Sequence, residues 1–171
     1  MDLAARIRRI PDFPKPGILF YDISTLLIDP RAWRTTIERM AELARSFAPD
    51  VLAAIESRGF LLASPLALEL NAGFVMVRKV GKLPGTVVSH SYDLEYGSDT
   101  LQLADGLIRP GSRALVVDDL IATGGTAAAT VELLRKVGAD VVGAIFLIEL
   151  AGLEGMQKLP VPARALLRLQ A

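Results

Sequence analysis

Two adjacent carboxylates stand directly before a glycine- and threonine-rich stretch in the string VVDDLIATGGT, residues 116–126. Gly124 and Gly125 allow backbone angles and close approaches that a side chain would forbid. Backbone N–H groups at the start of a helix that follows such a loop attract anions. Asp118 and Asp119 repel a phosphate but accept hydrogen bonds from sugar hydroxyls. The combination therefore predicts a site for a phosphorylated sugar, with its phosphate at the loop and its hydroxyls at the acids.

This string differs from two well-known phosphate-binding motifs. The nucleoside-triphosphate loop GxxxxGK[ST] and the dinucleotide fingerprint GxGxxG are both absent from it. A glycine-rich turn can also serve packing alone, and an acidic pair can simply cap a turn. The full string of apolar residues, two acids and ATGGT is much more specific than either part, so we favour the ligand-binding interpretation.

The elements that must position these residues are helix-like and strand-like segments in alternation. Asp29 and Pro30 are typical of a helix start, and apolar residues recur at helical spacing through residues 31–47. The predicted strands cover residues 51–55, 74–77, 113–117 and 141–150, and two further helices are predicted over residues 59–70 and 125–140. Apolar strands separated by helices favour an α/β fold, an open and mostly parallel sheet with helices on both faces.

Residues 78–111 interrupt this alternation with a long, polar and turn-rich excursion. Within it, residues 86–97 contain strand-favouring side chains that predict a hairpin. Long excursions in a compact domain are usually functional lids or disordered segments. The aromatic and alternating apolar residues favour a lid, which we place at about residues 79–100 of a single domain spanning residues 1–171.

Composition narrows the possible function classes. The chain has 19 basic and 19 acidic residues, and this balance argues against broad electrostatic binding to nucleic acid or an anionic membrane. It has no cysteine, which excludes disulfides and thiolate metal sites. Its first residues lack the apolar run of a signal peptide. We therefore expect a cytoplasmic protein that binds neither nucleic acid nor a membrane.

The string LVVDDLIATGGT resembles the phosphoribosyl-pyrophosphate signature of type I phosphoribosyltransferases. Four further segments narrow the resemblance to the adenine phosphoribosyltransferases and extend it over nearly the whole chain: FPKPGILFYDIS (13–24), ESRGF (56–60), VRKVGKLPG (77–85) and YDLEYG (92–97). The resemblance implies that adenine and 5-phosphoribosyl pyrophosphate give AMP and pyrophosphate in purine salvage, with Mg²⁺ as the required metal. It also implies an N-terminal base-binding flap at residues 1–30 and a homodimer.

The resemblance also implies which residues hold the phosphorylated sugar. The ribose 2′- and 3′-hydroxyls would bind Asp118 and Asp119. The 5′-phosphate would lie on Ala122, Thr123, Gly124, Gly125 and Thr126. The pyrophosphate would contact Ser57, Arg58, Lys79 and Lys82, of which Arg58 and Lys82 are also candidate catalytic residues. No direct protein ligand for Mg²⁺ is assigned, since substrate oxygens and waters would hold most of its coordination shell.

The base would be held at a separate part of the site. The resemblance implies that adenine lies between Phe20 and Leu120, with the backbone near Leu19 reading its Watson–Crick edge. Glu95, in the predicted lid, would act at the purine N7/N9 edge as an acid/base or proton stabiliser. The resemblance further implies a non-proline cis peptide between Glu56 and Ser57.

Two other functions stay open. The first is a phosphoribosyltransferase for another purine, such as xanthine or hypoxanthine, because Tyr21 stands where several family members carry arginine. The second is a non-catalytic regulator that senses phosphoribosyl pyrophosphate or purines. Such regulators often carry an added nucleic-acid-binding domain or a basic surface, and a balanced chain of 171 residues favours the enzyme over them.

Overall fold

A computed structural model describes residues 1–94 and 97–171, and the elements below refer to those residues. In chain order they are β1 (Arg8–Ile10), β2 (Phe20–Asp22), α1 (Ser24–Leu27), α2 (Pro30–Arg45), β3 (Val51–Ile55), α3 (Arg58–Leu70), β4 (Gly73–Lys79), β5 (Val87–Asp93), β6 (Ser98–Ala104), β7 (Arg113–Ile121), α4 (Gly125–Lys136), β8 (Asp140–Ala151) and β9 (Ala163–Gln170). Strands β1 and β2 form a separate antiparallel hairpin. Within the described ranges, no helix has the length and apolar character that crossing a membrane requires.

The main sheet has seven described strands in the order β5-β6-β4-β3-β7-β8-β9. The five strands from β4 to β9 in this order are parallel to one another, whereas β6 runs antiparallel to both β4 and β5. Helices α2 and α3 pack on one face and α4 packs on the other. Phe146 and Leu147 of β8 are both fully buried, one in each layer. The predicted open, mostly parallel α/β fold is confirmed.

The predicted start of α2 is confirmed, and the helix predicted over residues 59–70 is present as α3. Asp29 caps α2, because its Oδ1 accepts hydrogen bonds from the N–H groups of Arg31 at 2.9 Å and Ala32 at 3.1 Å. Pro65 lies inside α3, yet the helix continues without a break from Arg58 to Leu70. Helix α3 therefore presents one unbroken surface to the sheet.

Strand β7 is longer than the sequence predicts. It continues four residues past Val117 to Ile121, because β8 runs beside it and pairs Asp118 with Phe146 and Leu120 with Ile148. The acidic pair thus lies near the end of strand β7, beside β8, rather than in the loop after the strand. This placement holds both carboxylates on the sheet, next to the start of α4.

A hairpin is present as strands β5 and β6, but its second strand, Ser98–Ala104, lies beyond the predicted residues 86–97. They pair from Val87↔Ala104 to Asp93↔Ser98, and β6 joins the sheet at Arg78↔Gln102 and Lys79↔Leu101. Strand β5 also packs against α4. The hairpin is therefore the edge of the main sheet and lies beside the helix that follows the phosphate-type loop.

Candidate active site

A cleft of ≈ 350 Å³ opens at the carboxyl ends of β3 and β7. Residues 55–58, Lys79 and residues 118–127 line it. Crevices at the carboxyl ends of parallel strands are where open α/β sheets bind ligands. Three segments that are distant in the chain, IESR (residues 55–58), the end of β4 and DDLIATGGT, therefore share one cavity.

The loop before α4 has the geometry of an anion cradle. Gly124 has φ +85°, in the left-handed region, and α4 begins at the next residue. A Cβ on Gly124 would lie 2.5 Å from the carbonyl oxygen of Gly155, and a Cβ on Gly155 would meet the carbonyl oxygen of Ala122 even more closely. Glycine is needed at both positions, so the segment around Gly155 supports the loop from behind. The sequence analysis missed Gly155, since it lies in no recognisable motif.

The acidic pair is joined to a cation. Asp119 is 4% exposed and its Oδ2 accepts a hydrogen bond from Nε of Arg58. Oδ1 of Asp118 accepts from the backbone N–H of Asp119 at 2.9 Å. Burial raises the pKa of Asp118 well above its usual range, and the neighbouring charge of Asp119 raises it further, while Arg58 lowers it. The ionised form of Asp118 is thus less favourable in the folded chain than in the unfolded chain.

Arg58 connects the acids to the N-terminal hairpin. Its guanidinium lies over the ring of Phe20, 5.4 Å from the centroid. Phe13 meets the same ring edge-on at 5.1 Å and 77°. Burial would lower the pKa of Arg58, but the charge and hydrogen bond of Asp119 outweigh it and the net shift is upward. The predicted pyrophosphate-binding, ribose-binding and base-binding residues are therefore in direct contact through Arg58.

Glu56 also lines the cleft, and the sequence analysis assigned it no role as a site residue. Its carboxylate accepts hydrogen bonds from Arg78 at 3.1 and 3.3 Å and from the backbone N–H of Lys79 at 3.0 Å. Burial raises its pKa, but these hydrogen bonds outweigh burial and hold the pKa of Glu56 below its usual value. The peptide between Glu56 and Ser57 is cis, which confirms that expectation. Glu56 thus ties the end of β3 to the end of β4.

Comparison with known proteins agrees with this geometry. A family model for the phosphoribosyl transferase domain matches residues 23–161. A curated adenine phosphoribosyltransferase from Gluconacetobacter diazotrophicus is 64% identical over 98% of this chain and 95% of its own length. The chain belongs to the adenine phosphoribosyltransferase family.

Solved structures of this family share the whole fold. The adenine phosphoribosyltransferase of Rhodothermus marinus is 49% identical with a TM-score of 0.92, covering 98% of this chain and 96% of that one. The enzyme of Saccharomyces cerevisiae is 40% identical with a TM-score of 0.92, and 97% of each chain is covered. The yeast structure is a complex with adenine and an imino-altritol bisphosphate. The family resemblance seen in the sequence is therefore confirmed over its full extent.

Several family-implied site residues lie apart from the cleft lining. Lys82 is exposed, and its backbone carbonyl accepts a hydrogen bond from Arg78 at 3.0 Å. Leu19 and Phe20 are partly buried and do not line the cleft, but Phe20 contacts the lining residue Arg58. Glu95 lies outside the described residues. The remaining assigned residues, Ser57, Arg58, Lys79, Asp118, Asp119, Leu120 and residues 122–126, all line the cleft.

Tyr21, which the sequence analysis singled out, points away from Phe20. It is 4% exposed, and its hydroxyl donates to the carbonyl of Gln170 at 2.7 Å. Neighbouring residues of a strand face opposite sides, so Tyr21 and Phe20 point in opposite directions from β2. Tyr21 therefore anchors the N-terminal hairpin to the last strand, β9.

Tyr21→Phe is expected to lower stability without changing base binding. Loss of one partly buried hydrogen bond costs about 1 kcal/mol, which corresponds to a fall in Tm of about 2–4 °C for a chain of this size. Thermal unfolding and the KM for adenine measure the two effects. A several-fold rise in the adenine KM with unchanged Tm would show instead that Tyr21 contacts the base.

Proposed function

We infer that this chain transfers the 5-phosphoribosyl group of 5-phosphoribosyl pyrophosphate to adenine, giving AMP and pyrophosphate. One observation carries this conclusion: a chain of the adenine phosphoribosyltransferase family brings a left-handed glycine loop, two carboxylates, Arg58 and Lys79 into one cleft. A sugar with phosphates at both ends matches that alternation of charge. In the reaction, N9 of adenine displaces pyrophosphate from the anomeric carbon.

The acidic pair suits the transition state of this displacement. By analogy with glycoside cleavage, the transition state carries oxocarbenium character on the ribosyl ring. We propose that Asp118 and Asp119 accept hydrogen bonds from the ribose hydroxyls and place negative charge near this developing cation. Support comes from their position between the phosphate-type loop and Arg58.

We propose that residues 122–126 hold the 5′-phosphate. Support comes from the 12-residue helix α4, whose free N–H groups begin at this loop, and from the hydroxyls of Thr123 and Thr126 in the cleft. Ser57, Arg58 and Lys79 would bind pyrophosphate. Lys82 would join them from its exposed position, where an approach to the leaving group needs movement of the segment after β4.

The proposal includes Phe20, Leu120 and the backbone near Leu19 as the adenine pocket. Support comes from Leu120, which lines the cleft, and from the contact between Phe20 and Arg58. The yeast relative binds adenine. A flat aromatic base between apolar side chains is typical of such pockets.

We propose that the chain is one domain in which residues 1–30 act as a base-binding flap and residues 79–100 as a lid. Within the lid, Glu95 would manage the proton at the purine N7/N9 edge. A lid over this site would exclude water that otherwise hydrolyses the activated sugar. Glu95→Ala should then lower kcat more than it raises either KM, and unchanged kcat would remove this role.

The oxygen donors of the cleft fit Mg²⁺. Asp118, Asp119 and the threonine hydroxyls are the hard ligands that Mg²⁺ prefers. Within the described part of the chain, no three carboxylate, histidine or cysteine side chains cluster closely enough to hold a metal ion by themselves. We propose that substrate oxygens and waters complete the coordination, with the acidic pair alongside. When bound, Mg²⁺ supplies neutralisation of charge on the pyrophosphate leaving group.

We propose that the protein is a homodimer. Support comes from exposed apolar side chains on α3 and β4, which contact each other: Leu61 is 44%, Leu68 85%, Phe74 40% and Met76 41% exposed. Leu61 and Leu68 share one helix face, and Phe74 and Met76 share one strand face. Such side chains are typical of interfaces. Light scattering should give twice the chain mass of 18.4 kDa, and a monomer mass would contradict the proposal.

We propose that the reaction takes place in the cytoplasm. A sugar that carries both a phosphate and a pyrophosphate is too highly charged to leave through an apolar membrane, so it is retained where it is made. Fractionation of cells that express the protein checks this location. Recovery with a membrane or exported fraction would contradict it.

The proposed function is tested by pyrophosphate release with phosphoribosyl pyrophosphate and Mg²⁺, offering adenine, hypoxanthine, guanine and xanthine separately. We expect adenine to exceed each other base by about 10²-fold or more in kcat/KM, since mismatched polar groups in a base pocket are costly. Chelation of Mg²⁺ should abolish turnover. Preference for another base would keep the chemistry and overturn the specificity. Binding of phosphoribosyl pyrophosphate without turnover would indicate a regulator.

A further inference from the structure

The hairpin β5–β6 touches the phosphate-type loop directly through Tyr92. The hydroxyl of Tyr92 lies 3.1 Å from Oγ1 of Thr126, the second residue of α4. The Tyr92 ring is partly buried and packs against the core layer that contains α4. Packing therefore holds the phenol oxygen next to the threonine, independently of any ligand.

A second contact links Tyr92 to the pyrophosphate side of the cleft. Its hydroxyl can also donate to Oδ2 of Asp99 at 3.5 Å, and Oδ2 of Asp99 accepts a hydrogen bond from the ammonium of Lys79. This hydrogen bond holds the pKa of Asp99 below its usual value, and it raises the pKa of Lys79. One series of polar contacts therefore runs from Lys79 through Asp99 and Tyr92 to Thr126.

The number of hydroxyl protons limits which hydrogen bonds Tyr92 and Thr126 can donate. Thr126 and Tyr92 each carry a single hydroxyl proton. If Thr126 donates its proton to Tyr92, none remains for a phosphate oxygen. If Tyr92 donates to Thr126, the threonine proton is free to point into the cleft. Because the Tyr92 hydroxyl lies 3.1 Å from Thr126 but 3.5 Å from Oδ2 of Asp99, the shorter contact favours the second arrangement.

We propose that Tyr92 is a positioning residue for the sugar 5′-phosphate. Its hydroxyl donates to Thr126, so that Thr126 donates to a phosphate oxygen, and each hydrogen bond in such a series polarises the next. Asp99, the other possible acceptor of the Tyr92 proton, lies farther away at 3.5 Å and also binds Lys79. This inference rests on the proposed function, in which residues 122–126 bind the 5′-phosphate.

The test is calorimetric binding of ribose 5-phosphate and of pyrophosphate to the full chain and its Tyr92→Phe variant. Phenylalanine keeps the ring and its packing, so the variant should fold as the wild type does. We expect affinity for ribose 5-phosphate to fall about five- to tenfold, the net size of one hydrogen bond between uncharged groups. Affinity for pyrophosphate should stay within about twofold.

Ser91→Ala is the matched control for a purely structural effect. Oγ of Ser91 and Oγ1 of Thr100 lie 2.8 Å apart across the same two strands, at an exposed position. Removing the Ser91 hydroxyl costs the hairpin one side-chain hydrogen bond and leaves the contact with Thr126 intact. Ribose 5-phosphate affinity should therefore be unchanged, and a loss equal to that of Tyr92→Phe would overturn the inference in favour of general hairpin stability.

The double variant Tyr92→Phe/Thr126→Ala shows whether the tyrosine acts through the threonine. If it does, the double variant binds ribose 5-phosphate about as weakly as Thr126→Ala alone. Losses that multiply, an unchanged affinity in Tyr92→Phe, or an equal loss for pyrophosphate would each overturn the inference. A wild-type chain that fails to bind ribose 5-phosphate would overturn the proposed function instead, so the two failures are distinguishable.

Discussion

Asp118→Asn is expected to lower kcat/KM for phosphoribosyl pyrophosphate by about 10²-fold, the usual effect of removing one preorganised electrostatic group, while it raises Tm at neutral pH. The loss of activity follows from removing the negative charge that we propose to lie beside the ribosyl ring. The gain in stability follows from the raised pKa of this carboxyl, because its ionised form is destabilised by burial and by Asp119. Asparagine still accepts from the N–H of Asp119, as Oδ1 of Asp118 does at 2.9 Å.

The pH dependence of stability has a definite sign. A carboxyl whose pKa is raised in the folded chain binds its proton more tightly there than in the unfolded chain. The free energy of unfolding therefore falls as pH rises from 3.8, the ordinary value, through the raised pKa of Asp118, and the loss is complete above it. Asparagine has no proton to lose, so the variant should gain on the wild type across this window.

Thermal unfolding of both proteins over a pH series, together with steady-state kinetics, checks this prediction. Asp140→Asn is a suitable control, because Asp140 is an exposed carboxylate at the opposite end of the neighbouring strand β8, 3.7 Å from Arg113. It should change neither kcat/KM nor the pH dependence appreciably. A lower Tm for Asp118→Asn at every pH would show that the native carboxylate stabilises the fold.

Gly124→Ala is expected to damage both the fold and the phosphate-type loop. Alanine at φ +85° costs about 1–2 kcal/mol. Its Cβ would also lie 2.5 Å from the carbonyl oxygen of Gly155, where only a backbone shift relieves the clash, at a cost of about 1–3 kcal/mol. Tm should fall by about 5 °C or more. Displacement of the loop should lower kcat/KM by about 10²-fold.

Gly125→Ala is the matched stability control for this variant. Gly125 has an ordinary φ, and a Cβ there would meet no atom within 4 Å. Its Tm should therefore equal or exceed that of the wild type, since alanine favours helix α4. Equal falls in Tm for the two variants would mean that neither the positive φ of Gly124 nor its contact with Gly155 decides the loop geometry.

The cradle and the acidic pair were predictable because their chemistry is local. Nine consecutive residues, 118–126, contain the two acids, the glycines and both threonines, and they all line the cleft. The end of β7 was not predictable from its own residues, since the ladder with β8 carries the strand on to Ile121. The cis peptide at Glu56 was available only through the resemblance to the family.

Sequence alone also determined the fold class and the family, because hydrophobic periodicity and contiguous motifs are visible without knowledge of any tertiary contact. Only the tertiary structure decided which side chains hold the site together. Glu56 and Arg78 are 22 residues apart, Lys79 and Asp99 are 20 apart, and Tyr92 and Thr126 are 34 apart. Tyr21 and Gln170 are separated by 149. Such pairs depend on strand order and register, which are set by the packing of the whole sheet and cannot be read from spacing along the chain.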